Sequence, residues 1–553
     1  MSLDLSFDHF YTYAELTRFL EDAATEYPGL ASLCSVGKSY EGRDIWCLVL
    51  TNRATGTDKE KPAVYFDGNI HAGEVTGSHV CLYTIKALLD GYGRDKEVTY
   101  LLDTRTFYML PRVNPDGAEM YLTTPFMLRS SVRPYPEPEE KEGLRAEDIN
   151  GDGLILQMRI PDPNGPWKVS DRDPRLMVLR RPDDYTGQFY RVYPEGRVYG
   201  NREGTPKVAP SRFGLDINRN FPANWRIEQS GAGPYPLSEP ETRALAEFIL
   251  SHPNISTFQA YHTSGGVIYR PFCTKPDSDM IPADLAIFRA IGQRGQEITG
   301  YKPLPASHGG LGASRAGIFI DWVYEHRGII GFTTELWDMA GRAGVNKDKE
   351  WRDKTPQDIE EDELKLLKWQ DEHLQGHGFV NWTGFDHPDF GHVEIGGWIQ
   401  KTVRQNAPPG PLLADECERS HRFAISLALT TPRLVWSDVA ATPVAPGVYR
   451  VVATLQNEGY LATYVTQQAL RVNAVKPIKV TVSGGEVVSG RAEQEIGHLE
   501  GRASVTAGPW GVRQSGDQER RLVWVVKAPA GTVLGLTAAS ERGGTARATV
   551  TLG

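Results

Sequence analysis

The first part of the chain alternates short apolar strands with amphipathic helices, and this alternation constrains the fold more than any other feature of the sequence. Apolar runs at 45–50, 62–66 and 106–110 have the length and composition of buried strands, whereas 12–24 and 74–89 show helical periodicity. Such alternation predicts an α/β fold with a mixed, largely parallel sheet flanked by helices. Ligand sites in these folds lie at the carboxyl ends of the strands, so the residues that follow the strands are candidates for a site.

Two polar residues follow the strand at 62–66, where the chain turns into the next helix. His71 and Glu74 are three positions apart. Imidazole nitrogen and carboxylate oxygen are both zinc ligands, and a catalytic zinc site takes three protein ligands and leaves one position for water. A His-x-x-Glu pair is a weak motif by itself, since such pairs arise by chance in long chains. The zinc hypothesis therefore needs a third ligand from elsewhere.

Three later segments place polar residues in similar positions. One apolar strand ends in His262 and is followed by glycines, a second closes on Glu335, and a further segment places Arg219 between two asparagines. Each residue also has an ordinary structural interpretation. His262 would then be a buried core histidine, Glu335 a solvated acid at a strand end, and Arg219 a structural partner of Asp216.

These residues, in their chain order, resemble the zinc carboxypeptidases of the carboxypeptidase A type, peptidase family M14. Each motif is modest alone, but five in the right order are a specific signal. The resemblance covers roughly the first 340 to 385 residues and implies the fold of that family. The segments that carry it are His71 with Glu74, residues 114–117 (Asn-Pro-Asp-Gly), residues 218–220 (Asn-Arg-Asn), His262 and Glu335.

The resemblance implies a catalytic zinc and a general base. His71, Glu74 and His262 correspond to the zinc ligands. Zinc in such a site polarises the scissile carbonyl and lowers the pKa of its water toward ~7. Glu335 corresponds to the general base and later acid that activates this water, a role that needs a carboxylate near the water but off the metal.

Arginines take the electrostatic roles that the resemblance implies. Arg129 corresponds to the arginine that stabilises the developing oxyanion, and Arg133 competes with it for this role. Arg219 with Asn218 corresponds to the pair that receives the terminal carboxylate of the substrate, which a planar guanidinium binds in bidentate fashion. The expected partner is therefore a peptide with a free C-terminal carboxylate.

The substrate pocket departs from the family pattern at one position. The family places a tyrosine eight positions before its Asp-Trp pair, and that offset falls on Ala313 in this chain, within a glycine-rich run. His308 or Arg315 are the candidates to replace part of its hydrogen bonding. Ile320 occupies the position where relatives with apolar preference carry an apolar residue. The resemblance thus implies preference for an aliphatic or aromatic terminal residue.

The predicted function is that of a zinc-dependent metallocarboxypeptidase, which hydrolyses the C-terminal peptide bond of peptides. Two alternatives use the same fold: a peptidoglycan stem-peptide carboxypeptidase and an amide-bond deacylase. Outside enzymes, the alternative is a catalytically silent binding protein. A silent relative would have lost a metal ligand or the base, whereas His71, Glu74, His262 and Glu335 fill all four positions.

A long segment at 130–215, rich in proline, glycine and charge, interrupts the predicted catalytic domain. Loops of this length are usually functional or mobile, and we expect this one to border the cleft. Within it, Asp148, Asn150 and Asp152 have the spacing that opens a calcium-binding loop, but Arg159 stands where an EF-hand has its bidentate Glu. Calcium is one interpretation, and an Asx-type turn is the other.

The sequence predicts three regions. Residues 1–385 form the catalytic domain with its insertion at about 130–215, and 386–431 form a connecting segment with a helix. From 432 to 553 the chain changes to short β-branched runs with Gly and Asn turns, which predict an all-β sandwich. This accessory domain carries no evident catalytic constellation.

Composition excludes several classes of function. The 553 residues are 40% hydrophobic and 24% charged, as in soluble globular proteins, and the net charge of −10 argues against a nucleic-acid partner. No apolar run reaches the ~18 residues of a membrane span, and the start resembles no export signal, so we favour the cytoplasm over secretion. The five cysteines lack metal-site spacing and are expected to be free thiols, although Cys34 and Cys47 flank a predicted hairpin that an oxidising compartment could bridge.

Overall fold

The computed structural model describes most of the chain with side chains. The described residues are 3–137, 139–200, 204–307, 315–347, 349, 353–508, 511–514 and 516–553. The predictions about His308 and Ala313 lie outside these residues.

Most of the helices begin where the sequence provides start signals. In the first helix Thr12 and Glu15 form a capping box, in which each side chain satisfies a free backbone N–H group. Several others carry proline in the first turn, where its missing N–H costs nothing. The helices are α1 (Tyr13–Glu26), α2 (Thr76–Gly91), α3 (Lys96–Thr104), α4 (Pro115–Thr123), α5 (Pro240–Ser251), α6 (Pro282–Thr299), α7 (Phe319–Arg327), α8 (Met339–Arg342), α9 (Pro356–His373), α10 (Pro411–Ala428) and α11 (Gln467–Arg471).

The strands fall into three groups along the chain. The main sheet uses β1 (Ala31–Lys38), β2 (Asp44–Leu50), β3 (Ala63–Gly68), β4 (Thr106–Leu110), β11 (Ile255–Thr263), β12 (Val267–Arg270), β13 (Lys302–Pro305) and β14 (Ile330–Leu336). The insertion and the segment after α9 contain β5 (Gly143–Ala146), β6 (Gln157–Pro161), β7 (Trp167–Val169), β8 (Met177–Leu179), β9 (Tyr190–Pro194), β10 (Gly196–Tyr199), β15 (Phe379–His387) and β16 (Gly391–Trp398). The C-terminal part contains β17 (Leu434–Ala445), β18 (Val448–Asn457), β19 (Lys479–Ser483), β20 (Glu486–Ser489), β21 (Glu493–Glu495), β22 (Val505–Gly508), β23 (Gly511–Gln514), β24 (Glu519–Lys527), β25 (Val533–Ser540) and β26 (Gly544–Thr551).

The main sheet has the order β1-β2-β4-β3-β11-β14-β12-β13. Its central strands β4, β3, β11 and β14 pair in parallel, whereas β1, β2 and the β12–β14 contact are antiparallel. Every residue of β3, β4 and β11 is buried, as expected for strands covered on both faces. The predicted mixed, largely parallel sheet is confirmed.

Helices cover both faces of this sheet. Successive residues of a strand point to opposite faces. Accordingly, Phe66 packs in the core beneath α1, α2, α6 and α10, while Tyr65 packs in the core beneath α5 and α7. Leu413 and Phe423 of α10 belong to the first of these cores. The helix that we predicted as part of a connecting segment is therefore part of the packed layer.

The strands of the insertion lie in two sheets that are separate from the main sheet. Strands β5 and β10 pair with each other, and a six-stranded sheet has the order β15-β16-β6-β9-β7-β8. The insertion thus pairs through β6 with β16, far along the chain. The predicted boundary at residue 385 falls inside β15. We propose to keep the division into domains but to place this boundary after β16.

The C-terminal part is all-β, as predicted. Two antiparallel sheets of four strands have the orders β17-β18-β24-β20 and β21-β19-β25-β26. One hydrophobic core joins them, with Trp524 from the first sheet and Leu536 from the second fully buried in it. Two sheets that share such a core form a β-sandwich.

The sandwich contacts the end of α7. Arg542 is buried, and its guanidinium donates hydrogen bonds to the carbonyls of Arg327, Gly328 and Tyr464. Thr466 Oγ1 also donates to the carbonyl of Gly328, at 2.7 Å. The last carbonyls of a helix lack partners within the helix and attract positive charge. The sandwich therefore satisfies the carboxyl end of α7.

Among the helices of the described residues, none has the length and apolar character needed to cross a bilayer. All five cysteines are free thiols, and Cys34 and Cys47 are cross-strand neighbours without a disulfide bond.

Candidate metal centre

Three adjacent parallel strands bring their carboxyl ends to one edge of the sheet. The turn after β3 carries His71 and Glu74, β11 carries His262, and β14 carries Glu335. The parallel register aligns His262 with Glu335. Glu74 lies before α2, which begins at Thr76, and not inside the helix as its periodicity indicated.

Two imidazoles converge on one carboxylate. His71 Nδ1 lies 2.8 Å from Glu74 Oε1, and His262 Nδ1 lies 2.9 Å from Glu74 Oε2. The two Nδ1 atoms are 3.1 Å apart. All three side chains are buried, and their ligand atoms lie within 4.8 Å of one another. Within the described part of the chain, no other group of three or more His, Cys, Asp or Glu side chains is arranged to hold a metal ion.

The surroundings of His71 fit a metal ligand. Its Nδ1 faces Glu74 and His262, while its Nε2 lies 3.2 Å from Asp216 Oδ1 and 2.9 Å from Arg129 Nη2, so Nδ1 is the nitrogen available to a metal ion. A lone pair that faces a carboxylate and a second imidazole is stabilised by a cation between them. Two nitrogens and a carboxylate are the donor set that zinc takes in catalytic sites. The residues present therefore fit a zinc ion.

The charges of the centre shift the pKa values of its acids in opposite directions. Burial by itself would raise the pKa of the Glu74 carboxyl, but His71 and His262 hold it well below its usual range. Burial and the negative charge of Glu74 raise the pKa of Glu335 to about 7. A carboxyl with a pKa near neutrality can both take and return a proton, as general acid–base catalysis requires.

Asp216 is a functional candidate that the sequence interpretation assigned only to structure. Its Oδ1 accepts from His71, and its Oδ2 lies 3.2 Å from Arg129 Nε and 3.6 Å from Arg219 Nη2. Although burial opposes ionisation, His71 and both arginines hold the pKa of Asp216 well below its usual range. The carboxylate is therefore charged and orients His71. In the sequence, the position of Asp216 two residues before Asn218 was the signal that could have identified it as a site residue.

The structure brings Arg129 to the metal centre and leaves Arg133 outside it. Arg129 Nη1 lies 3.1 Å from Glu74 Oε1, and half of its side chain is exposed toward the cleft. Arg133 donates to Glu239 at 2.9 Å instead. Of the two competing arginines, Arg129 is the one beside the metal centre.

A small cavity of about 50 Å³ adjoins the centre, between β14 and the start of α7. Asn218, Arg219 and Ile320 all line it together with Glu335, so the predicted substrate residues and the predicted base share one space. The Asn218 Oδ1 atom accepts from the backbone N–H of Phe319 at 3.0 Å, which ties the segment of Arg219 to α7.

The predicted calcium loop lies apart from this centre, on the insertion. The Asp148 carboxylate accepts from the backbone N–H groups of Gly151 at 2.8 Å and Gly153 at 2.9 Å. Asn150 Nδ2 donates to Asp152 at 3.0 Å. These contacts are those of a turn whose side chains hold their own backbone. Calcium binding by this loop stays a prediction.

The site has the composition of a mononuclear metal-dependent hydrolase, with three candidate ligands, a nearby buried carboxylate and an adjoining cavity. The sequence profile of the family described as zinc carboxypeptidase matches residues 16–349. The chain therefore belongs to the zinc carboxypeptidase family, whose members are zinc metallopeptidases. Residues 433–551 match a family described only as a domain of unknown function.

Individual relatives are similar over parts of the chain. A zinc carboxypeptidase from Saccharothrix mutabilis subsp. capreolus is 38% identical over 115 residues, which are 21% of this chain and 26% of that protein. Carboxypeptidase A2 from Rattus norvegicus is 26% identical over 348 residues, 61% of this chain and 64% of that protein. This chain thus spans less than two thirds of the length of both. Carboxypeptidase B from Homo sapiens is 25% identical over 361 residues, 61% of this chain and 65% of that protein.

Solved structures with likeness to this chain include a carboxypeptidase and a fibrinolysis inhibitor. Carboxypeptidase A from Helicoverpa armigera has a TM-score of 0.40 at 18% identity, over 67% of this chain and 74% of that one. Bovine thrombin-activatable fibrinolysis inhibitor has a TM-score of 0.38 at 18% identity, over 67% of this chain and 99% of that one.

Replacing Asp216 with asparagine is expected to weaken zinc binding by about 10- to 100-fold, the usual cost of losing a partner that orients a metal ligand. Asparagine keeps the shape but removes the charge that favours the Nε2–H tautomer of His71. Competition with a chelator of known affinity measures the effect. The matched control is Asp116→Asn, a buried carboxylate that binds Ser39 and Arg43 instead. Equal zinc affinity in the Asp216 variant and the wild type would contradict this role.

Proposed function

We propose that this protein is a zinc-dependent carboxypeptidase that hydrolyses the C-terminal peptide bond of peptides. The observation that carries the proposal is the convergence of His71, Glu74 and His262 beside Glu335, next to a cavity that Arg219 also lines. Metal ligands, base and a carboxylate receptor within one small space are what hydrolysis of a terminal peptide bond requires.

Glu335 supplies the proton transfers in the proposed reaction. When bound, zinc polarises the scissile carbonyl and acidifies a water molecule at the site. The Glu335 carboxylate accepts a proton from the attacking water and later delivers it to the leaving amine. Its position next to His262, without being one of the three metal ligands, allows it to reach the water and remain free to carry the proton.

Arg129 stabilises the negative charge that develops on the carbonyl oxygen. Its guanidinium lies beside Glu74 and His71, and half of the side chain faces solvent. A fixed positive charge at this point lowers the energy of the transition state more than that of the substrate.

Arg219 and Asn218 receive the terminal carboxylate of the peptide. Arg219 is buried in the wall of the cavity and held by Asp216 and by the carbonyl of Asn218, at 2.7 Å. A guanidinium fixed in this way presents its remaining N–H donors to a carboxylate. The requirement for a free carboxylate makes the proposed enzyme an exopeptidase.

Metal content and cleavage position test this proposal together. We expect about one zinc per chain after reconstitution, and release of single residues from the carboxyl ends of free peptides, because all three ligands and Arg219 are in place. Metal analysis and mass spectrometry of the digests measure both. Absence of near-stoichiometric zinc, or cuts within peptides, would refute the proposal. Cleavage confined to short acylated amino acids would instead support the deacylase alternative.

A further inference from the structure

A third guanidinium faces the cavity beside the predicted substrate residues. Arg315 lines it together with Arg219 and Ile320, next to Tyr269 and Cys273. The segment of Arg315 is held in place, because the backbone N–H of the following residue donates to Gln229 at 3.2 Å. Arg315 is therefore part of the wall that the terminal residue of a substrate would meet.

Arg315 differs from the other two arginines of the centre in its partners. Arg129 contacts Glu74 and Asp216, and Arg219 contacts Asp216. Within the described part of the chain, no carboxylate forms an ion pair or hydrogen bond with Arg315. The sequence of the preceding run, residues 308–314, contains neither aspartate nor glutamate.

The surroundings of Arg315 leave its charge poorly compensated. Burial and the positive charge of Arg219 lower the pKa of Arg315. Glu335 lies close enough for its charge to interact with that of Arg315 across the cavity. In the proposed function, however, this carboxylate transfers the proton of the attacking water. A partly buried guanidinium without a bonded anion favours a ligand that supplies one.

The charges around the cavity indicate what that ligand carries. Three carboxylates, those of Glu74, Asp216 and Glu335, balance the three guanidiniums, so a divalent zinc ion leaves two positive charges. The terminal carboxylate of a peptide neutralises one of them. A second negative charge on the terminal residue would neutralise the other, and Arg315 is the group without a bonded partner.

We infer that the enzyme prefers peptides that end in an acidic residue, whose side-chain carboxylate binds Arg315 while its terminal carboxylate binds Arg219. This inference rests on the proposed carboxypeptidase function and names its substrate class. Ile320 then contacts the methylene groups of the acidic side chain of the substrate, so the cavity wall is apolar where that side chain is apolar. The inference replaces the aliphatic or aromatic preference predicted from Ile320 alone.

A set of peptides that differ only in the terminal residue tests the preference. We expect kcat/KM for terminal Glu or Asp to exceed that for Gln, Leu, Phe and Lys by at least about tenfold, because a desolvated charge pair is lost with every other residue. Faster release of Leu, Phe or Lys would overturn the inference and leave the carboxypeptidase proposal standing. Release of no terminal residue at all would overturn both.

Variants of Arg315 test whether this side chain causes the preference for an acidic terminal residue. Arg315→Gln removes the charge and keeps a similar size. We expect kcat/KM for the Glu peptide to fall by about tenfold or more, while kcat/KM for the Leu peptide changes by only a few fold. Arg315→Lys is expected to restore part of the preference. Arg289→Gln on the surface of α6, where Arg289 pairs with Asp277, is the matched control and should behave as the wild type. Equal losses for Glu and Leu peptides would overturn the inference, because they would place Arg315 on the terminal carboxylate.

Binding of the free amino-acid product gives a second measurement, independent of turnover. Calorimetry with the zinc-loaded protein should show glutamate binding at least about tenfold more tightly than leucine or glutamine, a difference that Arg315→Gln removes. Retained folding of the variant is checked by its thermal transition. Equal affinities of the wild type for glutamate and leucine would overturn the inference.

Discussion

Replacing Glu335 with glutamine is expected to lower turnover by about 10²- to 10⁴-fold while zinc remains bound. Glutamine has the same shape but cannot accept a proton, and Glu335 is not one of the three groups that meet in the metal centre. Steady-state kinetics on a free peptide and metal analysis of the same sample measure the two effects. Full turnover in the variant would remove Glu335 from the proposed mechanism.

The pH profile provides a further check on Glu335. Burial and Glu74 raise the pKa of Glu335 to about 7, and only its ionised form accepts a proton. The kcat/KM of the wild type is therefore expected to fall as the pH drops through the pKa of this group, and the residual activity of the glutamine variant should lack that fall. Glu416→Gln is the matched control, because Glu416 is also fully buried but bonds Tyr301 and Arg419 away from the site.

Amidation of the substrate is expected to slow cleavage by at least about 30-fold, because it removes the substrate carboxylate that the buried Arg219 guanidinium would bind, a loss on the order of 2–5 kcal/mol. Arg219→Ala should cleave the free acid much more slowly than the wild type does and should discriminate little between acid and amide. Paired assays of the two peptides with both proteins give the ratio.

A second arginine serves as the control for Arg219. Arg133 is bound to Glu239 outside the centre, so Arg133→Ala should keep the full discrimination between free and amidated peptides. Equal cleavage of both peptides by the wild type would indicate an endopeptidase and would overturn the role of Arg219.

Local sequence was sufficient for the central strands of the main sheet and for placing candidate metal ligands at their ends. Buried parallel strands are continuous apolar runs, and such runs are visible without tertiary information. His71, Glu74, His262 and Glu335 follow or end these strands. Because parallel strands place their carboxyl ends at one edge, residues far apart in sequence were predicted to meet there, and the distances in the metal centre confirm that the three predicted ligands do so.

The insertion shows where local patterns fail. Its proline-, glycine- and charge-rich sequence indicated a long loop, yet it contains strands β5 to β10. Strand β6 pairs with β16, and Arg159 of β6 donates to Glu394 of β16 at 2.8 Å. The partner strand lies more than two hundred residues away, and a short, half-buried strand is stabilised by that partner more than by its own composition.

The sequence by itself determined the class of fold and the two kinds of domain, because these depend on periodicity, and its resemblance to a known family indicated that His71, Glu74 and His262 would meet. Only the tertiary structure decided the partners of each charge. In the structure, Asp216 contacts His71, and Arg129 rather than Arg133 lies beside the metal centre. Arg315 faces the cavity without a bonded carboxylate among the described residues. Charge pairing depends on distances of a few ångströms between distant segments, and the alternation of strands and helices does not encode those distances.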